Sequence, residues 1–415
     1  MKVLSLVGLA ISLNVFSSEQ YILKTNSLFN KNNLKRFGQT KELKLSFGTY
    51  QILKTTNKNL SLKNIQKIAG VEYVEKDYQL KTTEHEISND KDWYYDQQWG
   101  LLNTGANSRG TNRRGVAGMD VNAENAWQIT GGSEEIVIAV IDTGIDYEHP
   151  DLIANMWVNE LEKNGEPGVD DDGNGFMDDI HGYNFVDQNG SPIDGKGHGT
   201  HCAGIIGAAH NDVGIKGMMK NVRLMAVRFL DNAGTGTVSD AIAAIDYAIK
   251  NGAHILSNSW AGSFYSQALF DGVEASTKAG LPFIAAAGNE RNDNDQWETY
   301  PANFALDNII SVGAMTGAGE SARFSNYGKR TVHVYAPGES ILSTYQPRTY
   351  KWLSGTSMAT PFVSGMLGLA LSINKALTYK ELKSALIESA VMNDDLENYC
   401  VGGRADAYSL LNYLN

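Results

Sequence analysis

The sequence predicts an α/β protein built on a mostly parallel sheet, and three observations predict it. Residues 136–141 (IVIAVI) form an unbroken β-branched run, the pattern of a strand buried on both faces, as parallel sheets require. Leu281 to Ala287 is a second apolar strand. Apolar runs rich in small residues, 203–209 and 366–371, read as buried helices. With 415 residues and 42% hydrophobic composition, the chain has the length for one large domain and a smaller module.

Taken in order, residues 1–17 open with a lysine and a short apolar core and then turn polar at Ser17. That is the form of a secretory signal peptide cut after about Ser17. The apolar stretch is too short for a comfortable membrane span, so no membrane association is expected once it is removed. Residues 18–82 are rich in lysine and asparagine. Within them, 19–24 and 42–53 read as strands, 61–69 as a short amphipathic helix and 71–80 as a last strand. This fits a β-α-β-β-α-β, ferredoxin-like α+β module. Residues 83–91 are polar and aperiodic, a linker. The helix 239–250 and the strand 254–258 follow downstream, with helices at 364–373 and 379–389 after Ser357.

The net charge is −12. No basic patch argues for nucleic acid, and the acidic balance suits solubility and cation binding. Of the two cysteines, Cys202 falls on a predicted buried helix and Cys400 near the C-terminus. Nothing brings them together, so two free thiols are expected.

Three segments carry candidate chemistry. Ser357, in GTSMATP (355–361), precedes a buried helix, where the helix N-terminus favours a developing alkoxide and can donate to an oxyanion. A Gly-Thr-Ser before a helix is equally the look of an N-cap. Asp142 follows its strand directly, the place where open α/β sheets put ligand-facing groups. His198 lies in the glycine-rich turn GKGHGTH (195–201). Together they make a nucleophile, base and orienter. Asn289 closes the strand 281–287.

Val169 to Asp179 (VDDDGNGFMDD) is the first half of an EF-hand-like Ca²⁺ loop. Asp170, Asp172 and Asn174 alternate, Phe176 offers a carbonyl, and Asp178 or Asp179 closes a shortened loop, because the twelfth place is His181 rather than Glu. A metal-hydrolase reading fails, since no histidine accompanies these carboxylates at ligand spacing.

IAVIDTGID (138–146), GHGTHCAG (197–204) and GTSMATP, in this order, resemble the active-site segments of the subtilisin-like serine peptidases. The resemblance implies a three-layer sandwich over residues 92–415. It implies Ser357 as nucleophile, His198 as general base, Asp142 as orienter and Asn289 as oxyanion donor. It makes 18–82 an inhibitory propeptide, an intramolecular inhibitor whose tail lies in the cleft. Polypeptide substrates would bind as an added strand between Gly234 and Gly236 on one side and Ser259, Trp260, Ala261 and Gly262 on the other. The Ala261 methyl would narrow the pocket beside the scissile bond and disfavour Phe or Tyr. A second structural Ca²⁺ site would draw on Asp92, Asp151 and Asn211 and on the carbonyls of Ala209, Val213 and Ile215. The product expected is a secreted zymogen, extracellular or periplasmic, and monomeric by family default. Trp93 departs from the family pattern, which usually has proline there. The competing expectation is a catalytically silent calcium-binding or inhibitory protein on the same scaffold; the four intact catalytic positions argue against it.

Overall fold

The computed structural model describes residues 18–57, 60–82, 85–86, 95–106 and 115–415. The expected signal peptide, most of the linker and Asp92 fall outside the described residues. The chain forms two compact units that divide between Asp77 and Tyr78.

In the first unit, β1 (Glu19–Thr25), β2 (Gln39–Leu45), β3 (Gly48–Thr55), α1 (Leu62–Gln66) and β4 (Val71–Lys76) make an antiparallel sheet of order β2-β3-β1-β4. Alternating residues Tyr21 and Leu23 of β1 pack with Leu34, Leu53 and Ile65. Two expectations change. The stretch 42–53 is a hairpin that closes on the pair Leu45 and Gly48, and the first crossover carries only a 3-10 turn, Lys31–Leu34, in place of a helix. The expected last strand also breaks. β4 stops at Lys76, and the residues from Tyr78 on belong to the second unit.

The second unit begins with two short strands, β5 (Gln79–Thr82) and β6 (His85–Glu86), then α2 (Ala123–Ala126), β7 (Gly132–Asp142), α3 (Glu160–Asn164) and β8 (Gly182–Asn184). There follow α4 (His198–Gly207), β9 (Asn221–Arg228), β10 (Thr235–Thr237), α5 (Val238–Lys250), β11 (Ile255–Asn258), β12 (Trp260–Ala261), α6 (Gln267–Lys278) and β13 (Phe283–Ala286). Last come β14 (Ile309–Met315), β15 (Val334–Pro337), β16 (Ile341–Tyr345), β17 (Thr349–Ser354), α7 (Thr356–Ile373), α8 (Tyr379–Glu388) and α9 (Ala407–Leu414).

The centre is a seven-stranded parallel sheet of order β15-β14-β13-β11-β7-β9-β8. This is the predicted three-layer α/β arrangement. Ile138 and Val140 of β7 join the core under α4 and α7, which pack on each other, while α5 and α6 pair in the other helical layer. The run 136–141 is buried except at Val137 because both faces are covered. α7 is apolar and long enough to cross a membrane, yet 89% of it is buried inside the fold, so its composition serves the core. Local signals set the helix starts. Thr237 accepts from the Asp240 N–H at α5, and Thr378 with Glu381 makes a capping box at α8. Both cysteines are buried.

One buried group makes the fold sensitive to acid. His333 Nδ1 accepts the Ser311 N–H at 2.9 Å, and burial pushes the imidazole down to about 3. The unfolded imidazole takes up a proton from its ordinary value of 6.5 downward, whereas the folded one does not. Stability is therefore lost as pH falls from there toward 3. Between about pH 6 and 4 this residue contributes a slope of about 1.4 kcal/mol per pH unit. Melting curves of the parent and His333→Gln should separate by that slope; parallel curves would disprove it.

Candidate active site

The site forms at the carboxyl ends of the parallel strands. Asp142 is the last residue of β7 and is fully buried. Its Oδ1 accepts the Thr143 N–H at 2.7 Å and lies 2.7 Å from His198 Nδ1. His198 is the first residue of α4, so the helix starts a turn earlier than the apolar run suggests. The close approach requires glycine at 199, where a Cβ would stand 2.1 Å from the Gly144 carbonyl oxygen.

Sequence reasoning missed Asp194, a buried carboxylate that accepts five hydrogen bonds. Oδ1 takes Thr143 Oγ1 (2.8 Å) and the N–H groups of Lys196 (2.8 Å) and Gly197 (2.7 Å), and Oδ2 takes the Thr200 N–H (2.9 Å) and hydroxyl (2.6 Å). Burial raises its carboxyl and the donors pull the other way. The available signal was an aspartate just ahead of a helix start.

Ser357 is the second residue of α7, in the turn where backbone N–H groups have no carbonyl partner within the helix. Pro361, four residues on, has no N–H to give the Ser357 carbonyl. Ser259 Oγ (2.9 Å) and Cys202 Sγ (3.5 Å) donate to that carbonyl instead. Cys202 is one turn along α4 from His198, so the face of α4 that carries the imidazole meets the start of α7. Ser357 Oγ donates to the Ser259 carbonyl at 2.9 Å. Asn289 Oδ1 accepts from the Thr356 N–H (3.0 Å) and hydroxyl (3.1 Å). Those donors fix which end of the amide is oxygen. Nδ2 is thereby turned the other way, buried and without a hydrogen-bond partner among the described residues.

The family model described as the subtilase family matches residues 133–405. The chain belongs to the subtilase family. It is 35% identical over 366 residues to the thermophilic serine proteinase of Bacillus sp. strain AK1, covering 88% of this chain and 78% of that protein. Thermitase of Thermoactinomyces vulgaris is 35% identical over 294 residues, 71% of this chain and 94% of the relative. Subtilisin-like protease 2 of Plasmodium falciparum is 38% identical over 254 residues, 60% of this chain. The match spans only 18% of that longer protein.

In this subtilase β5 lies between β10 and β12, antiparallel to both. Gln79, Leu80 and Lys81 pair with Thr237, Gly236 and Thr235. On the other side Lys81 and Thr82 pair with Ala261 and Trp260. Gly234 accepts the Thr82 N–H at 3.0 Å, and a Cβ on Gly262 would meet Leu80 at 2.9 Å. Trp260 divides its roles. Its backbone pairs in the cleft, but its indole is buried, packs on Phe229 and donates to the Ile141 carbonyl at 2.9 Å. Ala261 lines a cavity of about 490 Å³ with Lys81, Glu290, Asn292 and Tyr300.

The acidic loop is assembled differently from the spacing argument. Asp172 and Asp179 converge with Glu162 of α3, a residue outside the loop motif, and oxygens of the three lie within 4.8 Å of one another. The Asn174 amide reaches Asp172 (2.9 Å) and Asp179 (3.1 Å), and Asn159 bridges the same two carboxylates. Burial, with the neighbouring Asp172 charge adding, pushes Asp179 up to about 6. Asp170 accepts the Gly175 N–H, and Asp178 turns to the Gly168 N–H. The Phe176 ring packs on Tyr183 and Tyr247. At the expected second site Asp151 Oδ2 already accepts the Ile215 N–H and the Tyr350 hydroxyl, both at 2.9 Å, while Ala209 N–H donates to the Asp151 carbonyl. Asn211 donates to the Pro150 carbonyl and accepts the Val213 N–H.

Replacing Asp194 by Asn leaves one acceptor oxygen facing five donors. At about 1–3 kcal/mol for each group left unsatisfied, Asp194→Asn should lose more than about 3 kcal/mol of stability. Denaturant titration measures it; a loss under 1 kcal/mol would refute the clamp.

Proposed function

We propose that this subtilase is a serine endopeptidase, made as a zymogen and stabilised by calcium. The observation that carries the reading is the buried Asp142 and His198 pair, set beside a helix-start serine and an amide donor that has no other partner among the described residues. In this reading the Ser357 hydroxyl swings from the Ser259 carbonyl to His198, whose Nε2 takes its proton as Oγ attacks the substrate carbonyl. Asp142 holds the imidazole through Nδ1 and stabilises the cation that forms. Asn289 Nδ2 and the Ser357 N–H would hold the oxyanion. The strand position of β5 supports a cleft that grips the backbone of a peptide. It equally supports residues 18–82 as a propeptide whose tail keeps substrates out. The leader composition supports export.

Ser357→Ala should abolish casein hydrolysis. Asn289→Ala should lower kcat by about 10²–10³ with KM nearly unchanged; a KM effect alone would remove Asn289 from the oxyanion site.

The calcium reading rests on three clustered carboxylates that have no lysine or arginine partner among the described residues. Glu162, Asp172 and Asp179 would hold the ion as hard oxygen donors, and its charge would offset their repulsion. Chelation should lower the melting temperature by about 5 °C or more, and Asp172→Asn should remove the difference. An unchanged melting curve in chelator would refute it.

A further inference from the structure

The turn that carries Asn289 is held from outside by one buried side chain. After β13 the chain runs through Ala287, Gly288 and Asn289 to Asn292. Gly288 (φ 109°) and Arg291 (φ 55°) both lie in the left-handed region, so local preference alone does not keep this backbone in shape. Asn326, fully buried in the connection between β14 and β15, supplies the restraint. Its backbone N–H donates to the Gly288 carbonyl at 2.9 Å. Its Oδ1 accepts the N–H groups of Glu290 (2.9 Å) and Asn292 (3.0 Å), which fixes the oxygen end of the amide. Nδ2 then faces the Ala287 carbonyl (3.1 Å), Asn294 Oδ1 (3.1 Å) and Thr299 Oγ1 (3.2 Å). The fit is close enough to require glycine at 288, where a Cβ would stand 2.4 Å from Asn326 Nδ2.

These bonds reach residues 287, 288, 290 and 292, so they bracket Asn289 and leave its side chain to the site. The Asn289 amide is held at its oxygen end by Thr356, and its Nδ2 has no partner among the described residues. Asn326 is itself anchored. Its carbonyl accepts the hydroxyls of Ser325 (2.8 Å) and Tyr335 (3.1 Å), and Ser325 Oγ accepts the Ala314 N–H at 2.9 Å. Ala314 belongs to β14 and Tyr335 to β15, so two strands of the central sheet act on the Asn289 turn through this one residue.

We propose that Asn326 is a positioning residue for the reaction, setting where Asn289 Nδ2 stands without touching substrate. The inference rests on the peptidase reading above and adds the residue through which the sheet fixes the oxyanion donor. A donor fixed beforehand has no reorganisation to undergo as the carbonyl oxygen gains charge. Removing the Asn326 side chain takes the acceptor from the Glu290 and Asn292 N–H groups and releases a turn with two left-handed residues. The Asn289 amide is then still present but off station, and a misplacement of about 1 Å costs up to about 10²-fold in rate.

The test is a double-mutant cycle on the full chain with a peptide substrate, comparing the parent, Asn326→Ala, Asn289→Ala and the double variant. End-point labelling of Ser357 with a fluorophosphonate counts competent sites, so unfolded protein drops out of kcat. Asn326→Ala should lower kcat by about 10- to 10²-fold, with KM within about threefold of the parent. On the Asn289→Ala background the same change should lower kcat by less than about threefold, because the group it positions is already gone. Asn326→Asp keeps both acceptor bonds at Oδ1 and turns an oxygen toward the Ala287 carbonyl and Asn294 Oδ1. It carries the same cycle if Asn326→Ala does not fold. Equal losses on both backgrounds, a loss confined to KM, or an unchanged kcat per competent site overturns the inference and leaves the peptidase reading standing. A parent that cleaves neither the peptide nor casein overturns the peptidase reading and this inference with it.

Discussion

The carboxylate of Asp194 is the constraint on which the site depends. A buried carboxylate costs several kcal/mol unless its lone pairs are met, and here five donors from separate parts of the chain meet them. Thr143 directly follows β7, Lys196 and Gly197 belong to the turn before α4, and Thr200 to the helix itself. Satisfying one charge therefore fixes a strand end against a helix start, and Asp142 reaches His198 across that junction at 2.7 Å. The fixed geometry precedes any ligand, as preorganised electrostatic sites require.

A second junction positions the serine. Pro361 cannot donate to the carbonyl four residues back, so the first turn of α7 is tied sideways, through Ser259 and Cys202, to the link between β11 and β12 and to α4. Asn289 is tied to the same turn through Thr356. Strand ends and helix starts thus carry every candidate catalytic group, while the apolar bulk of α7 anchors them in the core. The cleft walls are backbone edges, and β5 occupies them by strand pairing, so the cleft is closed by the chemistry that would recognise a peptide.

The acidic loop shows how distant sequence becomes local charge. Asp172 and Asp179 are near one another in the chain, but Glu162 arrives from α3, and its oxygens take the N–H groups of Asp171, Asp172 and Asp178. Tyr247 of α5 closes the far side on Asp179 at 2.6 Å. The loop is shaped by its neighbours rather than by a self-contained motif.

Much of this was legible in sequence. The β-branched run 136–141 announced a doubly covered strand, and short motifs marked Asp142, His198, Ser357 and Asn289, because strand ends, glycine turns and helix starts have local signatures. Apolar pattern also located α4, α5, α7 and α8, but not α6 or α9. What escaped depended on partners far along the chain. Asp194 is an ordinary pre-helix aspartate until Thr143 folds beside it. Glu162 is a surface-patterned helix residue until the loop closes over it, and Trp260 reads as a cleft residue until its indole finds the Ile141 carbonyl. The break of 71–80 into β4 and β5 is of the same kind. Alternation alone continues the strand, but Leu80 gains its hydrogen-bonding partners from β10, more than 150 residues away in sequence. Local residue pattern determined the elements and the reactive groups; long-range hydrogen bonding and burial, which no local window contains, decided which of those groups meet.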